Sequence, residues 1–245
     1  MTDLLVKNCL ISKNKDPQDI LIKEGVIKDI ASKITSDNLP TVDADFHFVT
    51  PPFVDSHFHM DATLSYGLPR VNKSGTLLEG IKLWGELKPN LTADAIKERA
   101  LKFCKWAIAR GTLAIRSHVD VSGQNLVGVE ALLDVRETMK DFIDIQLVAF
   151  PQDGLLRANC LDNLNTALDM GVDVVGGIPH FERTMEEGHE SIRILCEIAE
   201  KRGLLTDLHC DETDDPMSRH VEKLALETTR LGLKGRVAGS HLTSM

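Results

Sequence analysis

From residue 53 onward, short apolar runs alternate with longer stretches whose apolar residues recur at spacings of three and four. The runs are Val54 to His59, Leu113 to Val119, Ile145 to Phe150, Val174 to Pro179, Leu204 to His209 and Val237 to His241. Each is strand-length and mostly apolar, the pattern of strands covered on both faces. Between them, Thr92 to Arg110, Leu126 to Lys140, Leu161 to Met170, Glu190 to Arg202 and Met217 to Leu231 carry the helical period. Residues Leu64 to Pro89 break the alternation and read as an inserted loop containing glycine and proline. After it the strands recur at about thirty residues, the length of one βα unit.

Residues 1–52 read differently. Leu4-Leu5-Val6 with Leu10-Ile11, then Ile20-Leu21-Ile22, then Val26-Ile27 with Ile30 are separated by a turn-forming stretch from Ser12 to Asp19 and by Glu24-Gly25. This predicts a small β-layer as one domain, with Thr50-Pro51-Pro52 as a stiff hinge into a second domain over 53–245. In that second domain about six βα units with polar residues at strand ends point to an α/β fold, a TIM-like (β/α)8 barrel. A doubly wound sheet is the competitor, but it calls for a glycine-rich phosphate loop, and neither G-x-G-x-x-G nor G-x-x-x-x-G-K-[ST] occurs.

Composition removes several classes. With 28 Lys+Arg against 37 Asp+Glu the net charge is −9, which argues against bulk nucleic-acid binding. At 42% hydrophobic and 27% charged the chain is globular rather than disordered. It has no eighteen-residue apolar run and no basic-then-apolar start, so neither membrane insertion nor secretion is expected. Five cysteines without a C-x-x-C pair read as reduced thiols of a cytoplasmic protein.

The candidate chemistry sits at strand ends. His57 and His59 form H-x-H, and side chains two apart on a strand share a face, so both imidazoles can reach one ion. Alone the pattern is weak and reads more readily as two polar residues at a strand end. A second strand runs into His209 with Glu212 three residues on, and a third ends in His241. If these strands belong to one barrel, all five side chains share its mouth. His57, His59 and His209 then supply neutral nitrogens to a divalent metal, which lowers the pKa of bound water. Glu212 is placed to carry a proton from that water to a leaving nitrogen, and His241 to orient the water or polarise the substrate. The competing reading is a solvated loop acid and a capped rim histidine.

The span from Pro51 to Met245 resembles the amidohydrolase superfamily, most closely its bacterial cytosine deaminase branch. The likeness rests on Pro51-Pro52-Phe53-Val54 before the H-x-H, Ser74 to Leu77 with Glu79-Gly80-Ile81, Ser117 to Ser122, Phe150-Pro151-Gln152, Gly177 to Glu182, His209 to Glu212 and Ser240-His241. It implies a distorted barrel with a small β-sandwich, one Fe or Zn ion, and hydrolytic release of ammonia from a pyrimidine base such as cytosine. By position, His57, His59 and His209 match metal ligands, Glu212 the proton shuttle and His241 the histidine beside the hydroxide. Gln152 matches the amide that reads the pyrimidine ring, a task an amide suits because it offers donor and acceptor together, and Leu77 lies where the family lines its substrate pocket. His118 and Asp120 share a strand face and receive a supporting role around the ligands.

Two absences sharpen this resemblance. Binuclear relatives bridge two metals with a lysine at the fourth strand, which here reads Val174 to His180 without one, so a single metal is expected. The other base deaminases use P-C-x-x-C ligands, and that pattern does not occur. The family completes its metal site with an aspartate at the eighth strand, whereas this sequence reaches only four residues past His241. The expectation is therefore a piece of a longer, homo-oligomeric enzyme, truncated at its C-terminus. Sister activities on isocytosine, creatinine or N-isopropylammelide are the alternatives, as is an inactive fragment that at most binds metal or a base.

Overall fold

The computed structural model describes residues 3–11, 16–36 and 38–244, so part of the turn expected from Ser12 to Asp19 lies outside the described residues. The chain divides into two compact units, Met1–Pro52 and Phe53–Met245.

The first unit is a five-stranded sheet. Strands β1 (Leu4–Ile11), β2 (Gln18–Lys23) and β3 (Val26–Ala31) run antiparallel in sequence, and β4 (Thr41–Asp43) and β5 (Phe48–Val49) both pair parallel with β1. One edge of β1 serves two partners because the strand is bulged between Val6 and Cys9. Asn8 sits there at φ 56°, a conformation asparagine tolerates. Its amide donates to the Asp43 carboxylate at 2.9 and 3.0 Å, and its N–H to Asp19 Oδ1 at 3.1 Å. Asp19 is buried and also accepts from the Ile34 N–H at 2.9 Å, so neither group is left unpaired. The described residues form this single sheet; the facing layer of a sandwich is not among them.

The second unit is a six-stranded parallel sheet in the order β11-β10-β9-β8-β7-β6. Its strands are β6 (Phe53–Phe58), β7 (Thr112–Asp120), β8 (Asp144–Phe150), β9 (Val174–Gly177), β10 (Leu205–Cys210) and β11 (Val237–His241). Every strand lies beside its sequence neighbour, with no reversal of order. That is the progression of a barrel wall, and it disfavours the doubly wound alternative, which needs a switch point. The connecting helices are α1 (Leu77–Leu87), α2 (Ala93–Ala109), α3 (Val127–Met139), α4 (Cys160–Asp169), α5 (Met185–Arg202) and α6 (His220–Arg230). The apolar faces of α2 to α6 and the strands form one buried cluster, including Leu132, Leu147, Leu164, Ile192, Leu195 and Leu208. Each such side chain contributes roughly 1.5–3 kcal/mol by leaving water.

The structure corrects the sequence reading in three places. Leu64 to Pro89 is not wholly loop, because its second half forms α1 and a 3-10 turn over Lys88–Asn90. Gly80 and Gly85 mask this helix, each costing about 1 kcal/mol relative to alanine. Its start is fixed by Thr76, whose side chain accepts from the Glu79 N–H at 3.3 Å, while Glu79 accepts from Ser74 and pairs with Arg70 at 2.8 Å. Helix α5 begins five residues before Glu190, with Thr184 as N-cap accepting from the Glu187 N–H at 3.1 Å, and ends at Gly203 in the left-handed conformation (φ 69°). Helix α6 begins three residues after Met217, because the Asp211 carboxylate accepts the His220 and Val221 N–H groups at 2.9 and 3.0 Å.

Candidate metal centre and active site

Parallel strands put their C-terminal ends at one rim, and five histidines meet there. His57 lies on β6, His59 one residue past it, His118 on β7, His209 on β10 and His241 at the end of β11. Ring centroids are 4.5 Å apart for His57 and His118, 4.7 Å for His57 and His209, and 4.7 Å for His209 and His241. His59 Nε2 stands 3.1 Å from His209 Nε2. Two ligands of a tetrahedral ion at about 2.1 Å lie about 3.4 Å apart, so this separation suits a shared cation. Donor atoms of His57, His209 and His241 all lie within 4.8 Å of one another, as do those of His57, His59 and His118.

Backbone pairing builds this convergence. In the β10–β11 register His209 faces Ser240 and Cys210 faces His241. On β6 the register with β7 shifts between Asp55 and Phe58. The chain beyond is held by the Met60 N–H donating to Ser117 Oγ at 2.8 Å and the Asp120 N–H donating to Asp61 Oδ2 at 2.8 Å. Phe150 closes the floor, stacked on His209 at 4.2 Å and edge-on to His59 at 5.4 Å.

Burial favours the neutral form of His57, His59, His118 and His209. It pushes His59 down to about 4, with His57 and His241 adding repulsion, and His118 down to about 2, with His59 and His57 adding theirs. His57 and His209 are lowered by burial first and neighbouring histidines second. Neutral imidazole is the form that binds metal. Buried His57 Nδ1, His118 Nε2 and His209 Nδ1 have no hydrogen-bond partner among the described residues. A neutral, crowded set of nitrogens with unsatisfied atoms fits a divalent cation better than a closed hydrogen-bond network.

Glu212 follows β10, where Asp211 turns the chain at φ 56°. Its Oε1 lies 3.6 Å from His241 Nδ1, and burial raises its carboxyl above the usual range while His241 opposes that shift. Glu212 also lines an open cleft of about 290 Å³ with Leu78, His180, Glu182 and Thr213. The structure thus gathers His57, His59, His209, His241 and Glu212. It does not bring Gln152 or Leu77 into the cluster: Gln152 follows β8, half-buried, and Leu77 opens α1, 53% exposed.

The sequence reading gave His118 only a supporting role, yet its ring is fully buried within the cluster. Its Nδ1 lies 3.4 Å from the Phe58 carbonyl. The same-face relation to Asp120 was the available signal. Asp207 carried no signal, being one aspartate in an apolar strand. It lies beneath the histidines, 4.0 Å from His118 Nε2, and accepts from Arg116 and Ser240 Oγ, each at 2.9 Å.

Comparisons with known proteins fit this geometry. The structure of 5-methylcytosine deaminase from Klebsiella pneumoniae liganded with phosphonocytosine superposes with a TM-score of 0.93 at 38% identity, over 98% of this chain and 60% of that one. N-isopropylammelide isopropyl amidohydrolase of Pseudomonas sp. (strain ADP) is 33% identical over 98% of this chain and 60% of its own length. Pterin deaminase of Rhizobium rhizogenes is 29% identical over 93% of this chain and 52% of its own. The chain therefore spans about 50–60% of the length of these relatives. Residues 40–245 match the model of the amidohydrolase family, which accounts for histidines gathered at the C-terminal ends of parallel strands: this chain belongs to that family.

Proposed function

We propose that the protein catalyses metal-dependent hydrolytic deamination of a pyrimidine base, converting cytosine and water to uracil and ammonia. The observation that carries this reading is Glu212, its carboxyl raised by burial, standing 3.6 Å from His241 beside a neutral histidine cluster. His57, His59 and His209 would hold one divalent ion, Fe or Zn, both of which suit imidazole. Bound there, the ion supplies hydroxide near neutral pH by lowering the pKa of its water.

The remaining steps belong to the chain. As the C4–O bond forms, Glu212 takes a proton from the attacking water and delivers it to ring N3; it then carries the remaining hydroxyl proton to the exocyclic nitrogen, so the C4–N bond breaks, the C4 carbonyl forms and ammonia departs. Burial raises the affinity of this carboxyl for a proton, which favours its taking one from water before passing it on. His241 orients the water and the developing oxygen. Gln152 reads the ring, its amide offering a donor and an acceptor to neighbouring ring atoms, and Leu77 supplies an apolar wall. The phosphonocytosine bound by the Klebsiella pneumoniae 5-methylcytosine deaminase supports a pyrimidine.

A second reading is hydrolysis of an N-substituted aminotriazine, favoured by the N-isopropylammelide relative at 33% identity. A panel of cytosine, 5-methylcytosine, N-isopropylammelide and pterin, assayed for released amine with metal-loaded protein, separates the two. Cytosine or its 5-methyl derivative with the highest kcat/KM supports the proposal. Preference for N-isopropylammelide would replace it.

A further inference from the structure

We propose that Lys88 is a positioning residue, whose ammonium ties the segment carrying Gln152 to the end of β7 and so sets where the Gln152 amide stands at the rim. Lys88 directly follows α1, with its side chain 18% exposed. Its Nζ donates to Asp153 Oδ2 at 2.6 Å, to Asp120 Oδ2 at 3.3 Å and to Ser122 Oγ at 3.4 Å. Asp120 also accepts from Trp84 Nε1 at 2.6 Å and from the Ser122 N–H at 2.8 Å, and Ser122 Oγ accepts the Asp153 N–H at 3.2 Å. One cation therefore joins helix α1, the end of β7 and the residue next to Gln152. Burial alone would lower the Lys88 ammonium, but Asp120 and Asp153 outweigh it and hold the charge.

The far side of the same segment is held separately. Glu182, buried, accepts the Leu156 N–H at 3.1 Å, and Arg157 donates to the Phe181 carbonyl at 3.0 Å. The Gln152 N–H donates to the Phe150 carbonyl at 2.9 Å, and the placement of its side chain follows the backbone these two clamps hold. Lys88 also lines a cavity of about 310 Å³ with Trp84, Asp120 and Asp61. Removing the ammonium leaves Asp120 and Asp153 facing each other with no cation between, and their repulsion drives the Gln152 segment outward.

The proposal rests on the pyrimidine reading only for the role of Gln152; the clamp itself can be tested without substrate. Lys88→Met and, as a second variant that leaves the interior intact, Asp153→Ala are compared with the metal-loaded wild type by amide hydrogen exchange. Exchange at the amide of residue 153 should quicken at least about tenfold in both variants, with Leu156, which Glu182 holds separately, the α3 and β8 core and the metal content unchanged. In the kinetic arm Lys88→Met should raise KM for cytosine about tenfold with a much smaller change in kcat, and should add nothing to Gln152→Ala. Unchanged exchange in both variants, or effects of Lys88→Met and Gln152→Ala that multiply, overturns the proposal. Quickened exchange in a protein that neither binds nor turns over cytosine supports the clamp while removing the pyrimidine reading.

Discussion

Single residues at the rim answer to opposite demands. His57 and His59 must stay neutral to offer lone pairs, and burial ensures it. Replacing both by alanine is expected to remove the metal from otherwise folded protein, read by elemental analysis beside circular dichroism; retained stoichiometry would place the ion elsewhere. Gly154 shows a steric demand in the neighbouring segment. It sits at φ +99°, and a Cβ there would lie 2.9 Å from Glu182 Oε2. Gly154→Ala should destabilise the protein by about 1–3 kcal/mol through backbone strain and the displaced carboxylate. Urea denaturation measures this, and an unshifted midpoint would mean the segment yields freely.

At the level of elements, the strand-end histidines were legible because period-two and period-3.6 patterning locates strand ends, where a parallel fold gathers its polar side chains. His57, His209 and His241 are far apart in sequence and could be joined only by assuming the strand order that the structure displays. Helix α1 was not legible, because Gly80 and Gly85 read as breakers while the compensating contacts are tertiary: Arg70 to Glu79 and Glu86, and Trp84 to Asp120. Asp207 was hidden for a related reason, since its partners Arg116 and Ser240 come from other strands. The N-cap of α1 gives a local test. Thr76→Ala should cost about 1 kcal/mol and lower protection of the α1 amides in hydrogen exchange, and equal protection would show that tertiary contacts alone hold the helix.

For the whole second unit, pH links the site to stability. His59 and His180 are each held near 4 by burial, with other histidines adding repulsion, against an ordinary value of 6.5. As pH falls from 6.5 toward about 4 the unfolded chain takes up protons that these folded imidazoles refuse, so these two groups withdraw stability from the metal-free protein through that window and no more below it. Asp61, raised to about 7 by burial, acts the other way, because the folded form holds a proton that the unfolded chain releases as pH rises. Six histidines are lowered (His57, His59, His118, His180, His209 and His220) against three raised carboxyls at Asp61, Glu182 and Glu212, so the histidine slope should prevail. Thermal melts between pH 4 and 7 with chelator present should show the midpoint rising with pH, and a flat or falling profile would contradict it.

The most direct measurement is ammonia release from cytosine by metal-saturated protein, run in parallel with Glu212→Gln at equal metal occupancy. One ammonia and one uracil per cytosine are expected in the wild type, no activity after chelation, and a loss of at least about a hundredfold in the variant, the scale of general acid–base catalysis. Wild-type turnover retained in Glu212→Gln, or no ammonia from cytosine by folded, metal-saturated wild type, would contradict the proposed deamination.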